Sequence, residues 1–378
     1  MDFRYTEEQL AMQDTLQRFI ARDYDFERRR ALTRSPLGYS PQAWAQYAEL
    51  GLLGLPFPEE YGGLSGTGVD VMLVMESVGQ GLLLEPYWSS VVLCGGLIRD
   101  AASAAIKQEI LPQIAEGKVK LAFACYEAQA RYDLGRVESR AAAAGSGWRV
   151  SGKKSVVLDA PSADYLLVSA RTAGVGTEAQ GVSLFLVRRD TPGVSVRAYP
   201  TQWGGRAADV ELKDVVVGGD ALIGTPGQAL IVMERAVDLG IAALCAEALG
   251  IMVALNGATL NYTKTRKQFG LPIGSFQALQ HRMADMFIAT EQTRSMAIIA
   301  ALNAMSGDPL ERRRAISGAK AYVGQASRFV GQQAVQLHGA MGVVDDVVVS
   351  HYFKRLTMID MTFGDADYHL GRVSELLR

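Results

Sequence analysis

The spacing of apolar residues changes twice along this chain, near Lys120 and again near Pro226, and those changes constrain the fold more than any other feature. Before Lys120 the pattern is helical. Thr6 and Gln9 have the spacing of a capping box, and Pro41-Gln-Ala-Trp44 opens another helix. LPFPEEYGGLSGTG, from Leu55 to Gly68, is a turn-rich interruption, after which helical character resumes from Val69 to about Gly117. Between the two changes lie short β-rich runs: LAFACYE, WRVSGKKSVVLDA, DYLLVSAR, GVSLFLVRR and VSVRAYP. They are separated by AGSG, SAD and DTPG, as in a compact antiparallel β-domain. After Pro226, Gln228 to Arg266, Phe276 to Met305 and Pro309 to His338 are long helical segments, most simply buried as a four-helix bundle. The expectation is an α+β chain: an N-terminal helical domain (1–119), a middle antiparallel β-barrel or sandwich domain (120–225) and a C-terminal helical bundle (226–378).

Composition narrows the function. With 38 basic and 40 acidic residues the chain lacks the positive excess of a nucleic-acid binder. Cys94, Cys125 and Cys245 are isolated, with no CxxC pair, and His281, His338, His351 and His369 are scattered. Buried thiols and no metal site are the expectation. The amino terminus has no signal-peptide core, and the apolar stretch Leu239 to Leu255 carries Glu247 and is short for a membrane span. A cytoplasmic protein without a membrane span is expected.

The most informative stretch is NYTKTRKQFGLPIGSFQALQHRMADM, from Asn261 to Met286. Lys264, Arg266 and Lys267 are either a solvated helix end or, with Phe269 beside them, a site where guanidinium meets phosphate and an aromatic covers a ring. RKQFG, PIGSFQALQH and MADM, the later QLHGAMG (Gln336 to Gly342) and the helical–β–helical order together resemble the acyl-CoA dehydrogenase family over nearly the whole chain. The resemblance implies that family's fold and an FAD enzyme that oxidises an acyl-CoA to the 2-enoyl-CoA. A carboxylate takes the α-proton, the flavin takes the β-hydride, and an electron-transferring flavoprotein reoxidises it.

The same resemblance implies an FAD site shared between subunits, in a homo-oligomeric dimer of dimers or a heterotetramer. One chain lends its neighbour Arg266, Gln268 and Phe269 together with Gln336, Leu337, His338, Gly339 and Ala340; His338 belongs there as part of the loop. The flavin-facing half departs from the family pattern. Where Thr-Glu-Pro and Ser-Asp are usual, this chain has Tyr126-Glu127-Ala128 and Tyr132-Asp133; where Lys-x-Trp-Ile-Thr is usual, it has Lys154-Ser-Val156-Val-Leu158.

The base departs too. Laid on the family's Tyr-Glu-Gly-Thr, RLTMIDMTFGDAD puts Phe363 or Gly364 at the glutamate, depending on a one-residue shift. The second base position known in the family, within Asp-Leu-Glu-Arg, falls on Gly240, and the neighbouring arginine position is Ile241. Three acids are candidates, Asp365, Asp367 and Glu247, of which Asp365 and Asp367 could simply begin a terminal helix at DADYHLGRVSELL. Asp365 is near the motif but shorter, and is equally a helix N-cap. Glu247 lies in an apolar run, where burial would suit it for proton abstraction or for pairing with Arg282 or Arg294.

Three readings follow. The chain is a self-sufficient acyl-CoA dehydrogenase using Asp365 or Glu247; or a base-deficient subunit lending half an FAD site to a large subunit, most like the small subunit of pimeloyl-CoA dehydrogenase; or a scaffold that binds no flavin. The retained RKQFG and QLHGAMG disfavour the third. Joint loss of base, substrate arginine and flavin-facing hydroxyl favours the second.

Overall fold

The computed structural model describes residues 5–376. Helices α1 (Glu7–Asp23), α2 (Phe26–Arg34), α3 (Pro41–Glu49), α4 (Gly68–Gly81), α5 (Gly96–Ala101) and α6 (Ala104–Ala115) come first. Strands β1 (Leu121–Ala124), β2 (Arg140–Ala144), β3 (Gly147–Leu158), β4 (Tyr165–Arg171), β5 (Val182–Arg188), β6 (Val194–Pro200), β7 (Arg206–Gly218) and β8 (Leu222–Ile223) follow. The chain continues through α7 (Ala229–Thr265), the short strands β9 (Lys267–Gln268) and β10 (Leu271–Pro272), α8 (Gln277–Asn303), α9 (Pro309–His338), α10 (Val348–Met361) and α11 (Ala366–Leu376).

Local chemistry sets the helix starts. Thr6 Oγ1 accepts from the Gln9 amide at 3.2 Å while Gln9 Oε1 accepts from the Thr6 amide at 3.0 Å, the reciprocal pair that the spacing predicts. Ser40 caps α3 with Pro41 in the first turn, and Asp308 caps α9 with Pro309 likewise.

The chain packs as two compact bodies. One comprises Leu32–Thr67 and Leu84–Gly240 and contains the sheet. Its strands run in the order β6-β7-β3-β2-β4-β5-β8, with β1 beside β4. The sheet is mixed rather than purely antiparallel, because β1 pairs with β4 in parallel and Arg140 of β2 meets Arg171 of β4 in the same sense. The chain from 125 to 164, which carries β2 and β3, is the crossover that lets the parallel neighbours β1 and β4 meet. Val150, Leu166, Val168, Phe185, Val187 and Val210 fill the core beneath the sheet. The π-helical segment Tyr87–Gly95 is buried along its whole length.

The other body comprises Met1–Ala31, Gly68–Leu83 and Ile241–Arg378 and is helical. α4 and α7 cross at backbone contact: a Cβ on Gly79 would sit 2.1 Å from the Glu247 carbonyl oxygen, and one on Gly250 1.8 Å from that of Glu76. α9 is the central helix, burying Ile316, Ala319, Val323, Val330 and Ala334. α7 is long and apolar enough to cross a membrane, but 89% of its apolar window is buried inside the protein. That surface is used in the core.

Three histidines are buried in the helical body. His351 Nδ1 accepts from the Arg29 guanidinium at 3.0 Å, so its Nε2–H donates to the Asp345 carbonyl at 2.9 Å. His369 donates Nε2–H to the Phe363 carbonyl at 3.1 Å and accepts from Ser317 Oγ at 3.2 Å. Both bonding patterns need a neutral ring. Burial foremost, and then the Lys320 charge, pushes the His369 imidazole down to about 3. Burial lowers His351 and His338 as well. A folded-state pKa below the unfolded one favours the fold above that unfolded value, about 6.5, and the advantage is lost as pH falls towards the folded one. For His369 this amounts to about 2 kcal/mol lost by about pH 5. Calorimetric melting is therefore expected to show a lower Tm at about pH 5 than at about pH 7.5, with a smaller difference in His369→Gln. Identical pH dependence in the two proteins would refute this assignment.

Candidate active site

Beyond α7 the chain reverses at Phe269-Gly270, with φ of +55° and +80°. Left-handed values at both central residues make a type I′ hairpin, pairing Gln268 with Leu271 and Lys267 with Pro272. Glycine takes such a φ freely, whereas phenylalanine pays about 1–2 kcal/mol. The Phe269 ring is nonetheless 90% exposed, meeting Phe276 edge-on at 6.1 Å. A strained turn that holds an aromatic ring in water fits a contact with another molecule. Arg266 and Gln268 are exposed beside it.

The end of α9 joins this hairpin through His338. Its ring stacks on Tyr262 at 4.4 Å, its Nδ1 bonds to the Ala334 carbonyl at 2.8 Å, and Tyr262 Oη donates to the His338 carbonyl at 3.4 Å. With Leu337 buried, Gln336, Gly339 and Ala340 remain exposed. The fold thus brings Arg266–Gly270 and Gln336–Ala340, nearly seventy residues apart in sequence, to one end of the helical body.

In the sheet-containing body, Glu127 is an anchor. It accepts from Lys154 Nζ at 2.8 Å, Ser139 Oγ at 2.7 Å, and the amides of Ser139 and Glu138 at 3.0 and 2.8 Å. Burial alone would raise its pKa, but Lys154 and the Ser139 bonds outweigh that and hold it down at about 2. Arg171 secures the same 125–139 connection: its buried guanidinium donates to the carbonyls of Gly135, Val137, Gly176, Glu178 and Gln180. Tyr126 is thereby fixed next to β3. In β3 the pairing with β7 slips between Lys154 and Val157, and at this bulge Val156 has a φ of +54° and is 55% exposed. Its amide reaches Asp209 Oδ1 at 3.4 Å. A left-handed β-branched residue is a genuine outlier. Leu158, paired with Ala207, is half-buried and apolar.

The expected base positions hold no proton acceptor. Gly364 has a φ of +115°, and a Cβ there would lie 2.4 Å from Tyr368 Cδ1 and 2.7 Å from His369 Nε2. Phe363, buried and left-handed at +58°, is the side chain this turn presents. Gly240 is closed in: a Cβ would meet Leu93 Cδ2 at 2.5 Å, and its carbonyl accepts from Trp88 Nε1 at 2.9 Å. Asp365 Oδ1 accepts from the Tyr368 amide at 2.9 Å, capping α11. Glu247 is held by Arg355 through both oxygens, at 2.5 and 2.7 Å, with both side chains buried. Its partner is neither Arg282, which donates to Gln333, nor Arg294, which pairs with Glu76 and Glu291.

The models of the acyl-CoA dehydrogenase N-terminal, middle and C-terminal domains match residues 6–118, 122–215 and 229–377 in that order. A probable acyl-CoA dehydrogenase of Bacillus subtilis, YngJ, is 30% identical over 86% of this chain and 87% of its own length. The chain belongs to the acyl-CoA dehydrogenase family. A short-chain-specific acyl-CoA dehydrogenase of Clostridium acetobutylicum is 27% identical over 97% of both chains. One chain of the ChsE4-ChsE5 complex of Mycobacterium tuberculosis superimposes with a TM-score of 0.88 at 27% identity, over 100% of this chain and 99% of that one.

Acyl-CoA dehydrogenases are FAD flavoproteins, and the residues present suit FAD unequally. A guanidinium at 266 and an exposed ring at 269 are what a pyrophosphate and an aromatic base require. The β3 bulge offers an exposed valine and, at Leu158, no hydroxyl. Sequence reasoning missed Arg355, Arg171, Lys320 and His369, which hold Glu247, the 125–139 connection and the Phe363-Gly364 turn. Lys320 carried a signal, being a lysine on the apolar stripe of Ile316, Ala319 and Val323. The other three carried none.

Removing one partner of a buried ion pair typically costs about 3–5 kcal/mol, against about 1 kcal/mol for an N-cap. Urea unfolding is expected to rank Glu247→Ala well below Asp365→Ala in stability on that scale. Equal losses would contradict the structural role of Glu247.

Proposed function

We propose that this chain is the base-deficient subunit of a two-component acyl-CoA dehydrogenase, lending half an FAD site to a catalytic large subunit. The α,β-dehydrogenation of an acyl-CoA thioester to its 2-enoyl-CoA then proceeds on the partner's base. The observation that carries this reading is the contrast within one chain: Phe363, Gly364 and Gly240 accept no proton, while the strained hairpin still holds Phe269 out beside Arg266. The likeness to a complex of two chains, ChsE4-ChsE5, supports a mixed assembly. A heterotetramer resembling the small-subunit type of pimeloyl-CoA dehydrogenase, with an electron-transferring flavoprotein as acceptor in the cytoplasm, completes the proposal.

FAD, when bound, supplies the hydride acceptor. Arg266 contributes a charge-assisted bond to its phosphates, Phe269 covers a ring, and the Gln336–Ala340 loop contributes backbone and amide groups. Glu127 and Lys154 keep Tyr126 and the Val156 bulge in fixed positions.

The second reading is a self-sufficient homo-oligomeric dehydrogenase. Asp365 favours it by sitting two residues from Phe363. Against it, Asp365 is engaged at the start of α11 and Glu247 is engaged by Arg355.

Purification of the chain alone and with a candidate large subunit, followed by flavin absorbance and acyl-CoA-dependent dye reduction, separates the readings. The expected result is turnover by the pair and none by the lone chain; good activity from the lone homo-oligomer would sink the proposal. Arg266→Ala is expected to lower the FAD retained by the pair about tenfold, on the strength of one charge-assisted bond. Unchanged flavin content would count against the half-site.

A further inference from the structure

The turn at Phe363-Gly364 is held by side chains from two other places in the chain. His369 donates to the Phe363 carbonyl at 3.1 Å, and Lys320 Nζ donates to the Gly364 carbonyl at 2.6 Å and the Asp360 carbonyl at 2.7 Å. Asp360 Oδ1 accepts from the Ala366 amide at 3.2 Å, and its Oδ2 accepts from Arg328 at 3.1 Å. Gly324 makes room for that carboxylate, since a Cβ there would lie 2.2 Å from Asp360 Oδ1. Lys320 and His369 are both fully buried.

Burying an ammonium is far costlier than burying a hydrocarbon of the same size. Here the charge is spent on two main-chain oxygens, so its effect is to set where they lie. Burial pushes Lys320 down to about 8, partly opposed by Cys245, Asp360 and Asp365, so it still donates at neutral pH. A hydrophobic residue would fill the volume without fixing the turn.

We propose that Lys320 and His369 are positioning residues for position 363, locking the turn so that a glutamate placed there serves as base without remodelling. This rests on the reading that the chain lacks a base of its own. The step involved is proton exchange alone. The carboxylate takes the α-proton of a bound acyl-CoA, the C–H electron pair moves into the thioester carbonyl, and a solvent-derived deuteron is returned to carbon.

The test uses the FAD-loaded pair of this full-length chain with a large subunit whose own base glutamate is replaced by glutamine, in deuterium oxide, with acyl-CoA analogues of short, medium and long chain carrying sulfur at the β-position, which have no hydride to give. Phe363→Glu is expected to speed α-deuterium incorporation about a hundredfold or more over wild type, rising with pH through one carboxylate ionisation. Adding His369→Gln, which still donates to the carbonyl, should keep the gain. Adding His369→Leu or Lys320→Met should cut it about tenfold or more at unchanged FAD content. In the wild-type background, Lys320→Met should also accelerate amide exchange at Ala366 and Tyr368. A folded, FAD-containing Phe363→Glu that exchanges no faster than an inert wild type overturns the positioning inference, as does unaltered amide exchange in Lys320→Met. Wild type matching the rate of Phe363→Glu overturns instead the base-deficient reading on which it rests.

Discussion

The buried pair between Arg355 and Glu247 ties α10 to the middle of α7 through two short charge-assisted bonds, and the helical body is arranged around it. The adjacent crossing of α4 and α7 at Gly79 and Gly250 depends on the same stretch of α7 keeping its place. Once two charges are out of water, each needs the other. The pair therefore takes the most deeply buried glutamate of α7 out of contention for proton transfer. Three other buried acids are held in the same way. Glu127 is committed to Lys154 and Ser139, Asp360 to Arg328 and the Ala366 amide, and Glu76 to Arg294.

Strain and commitment mark the site together. Val156, Phe269 and Phe363 are all left-handed although none is glycine, and each falls in a segment that the sequence associates with cofactor or base. Such conformations persist only where surrounding bonds over-determine them. The surrounding bonds are visible in each case: the Asp209 contact and β-bulge at Val156, the β9–β10 ladder at Phe269, and Lys320 with His369 at Phe363. At position 363 Lys320 and His369 hold the backbone of a turn whose side chain is a buried phenylalanine.

The capping box at Thr6, the helix starts at Pro41 and Pro309 and the helical–β–helical order were legible because each depends on residues within a turn or two of one another, whereas the hairpin after Arg266 was not read from the sequence. Legible, too, was that positions 363 and 364, onto which the resemblance lays a glutamate, carry phenylalanine and glycine. The mixed character of the sheet was not, since apolar alternation does not say which way a neighbouring strand runs. The choice between Phe363 and Gly364 was equally beyond the one-dimensional pattern. What packing adds is that Gly364 has no room for a Cβ, with Tyr368 and His369 against it.

By itself, then, the sequence determined the kind of chain this is, because periodicity, caps and short motifs are local properties of a polymer. What each acid does was decided by the tertiary structure. Glu247 and Arg355 lie 108 residues apart, and Lys320 stands 44 residues from Gly364, so neither partnership exists until the helices pack. Burial is what gives those partnerships their strength: in water both pairs would be screened and worth little, and inside the protein they bind the acids and carbonyls to structure.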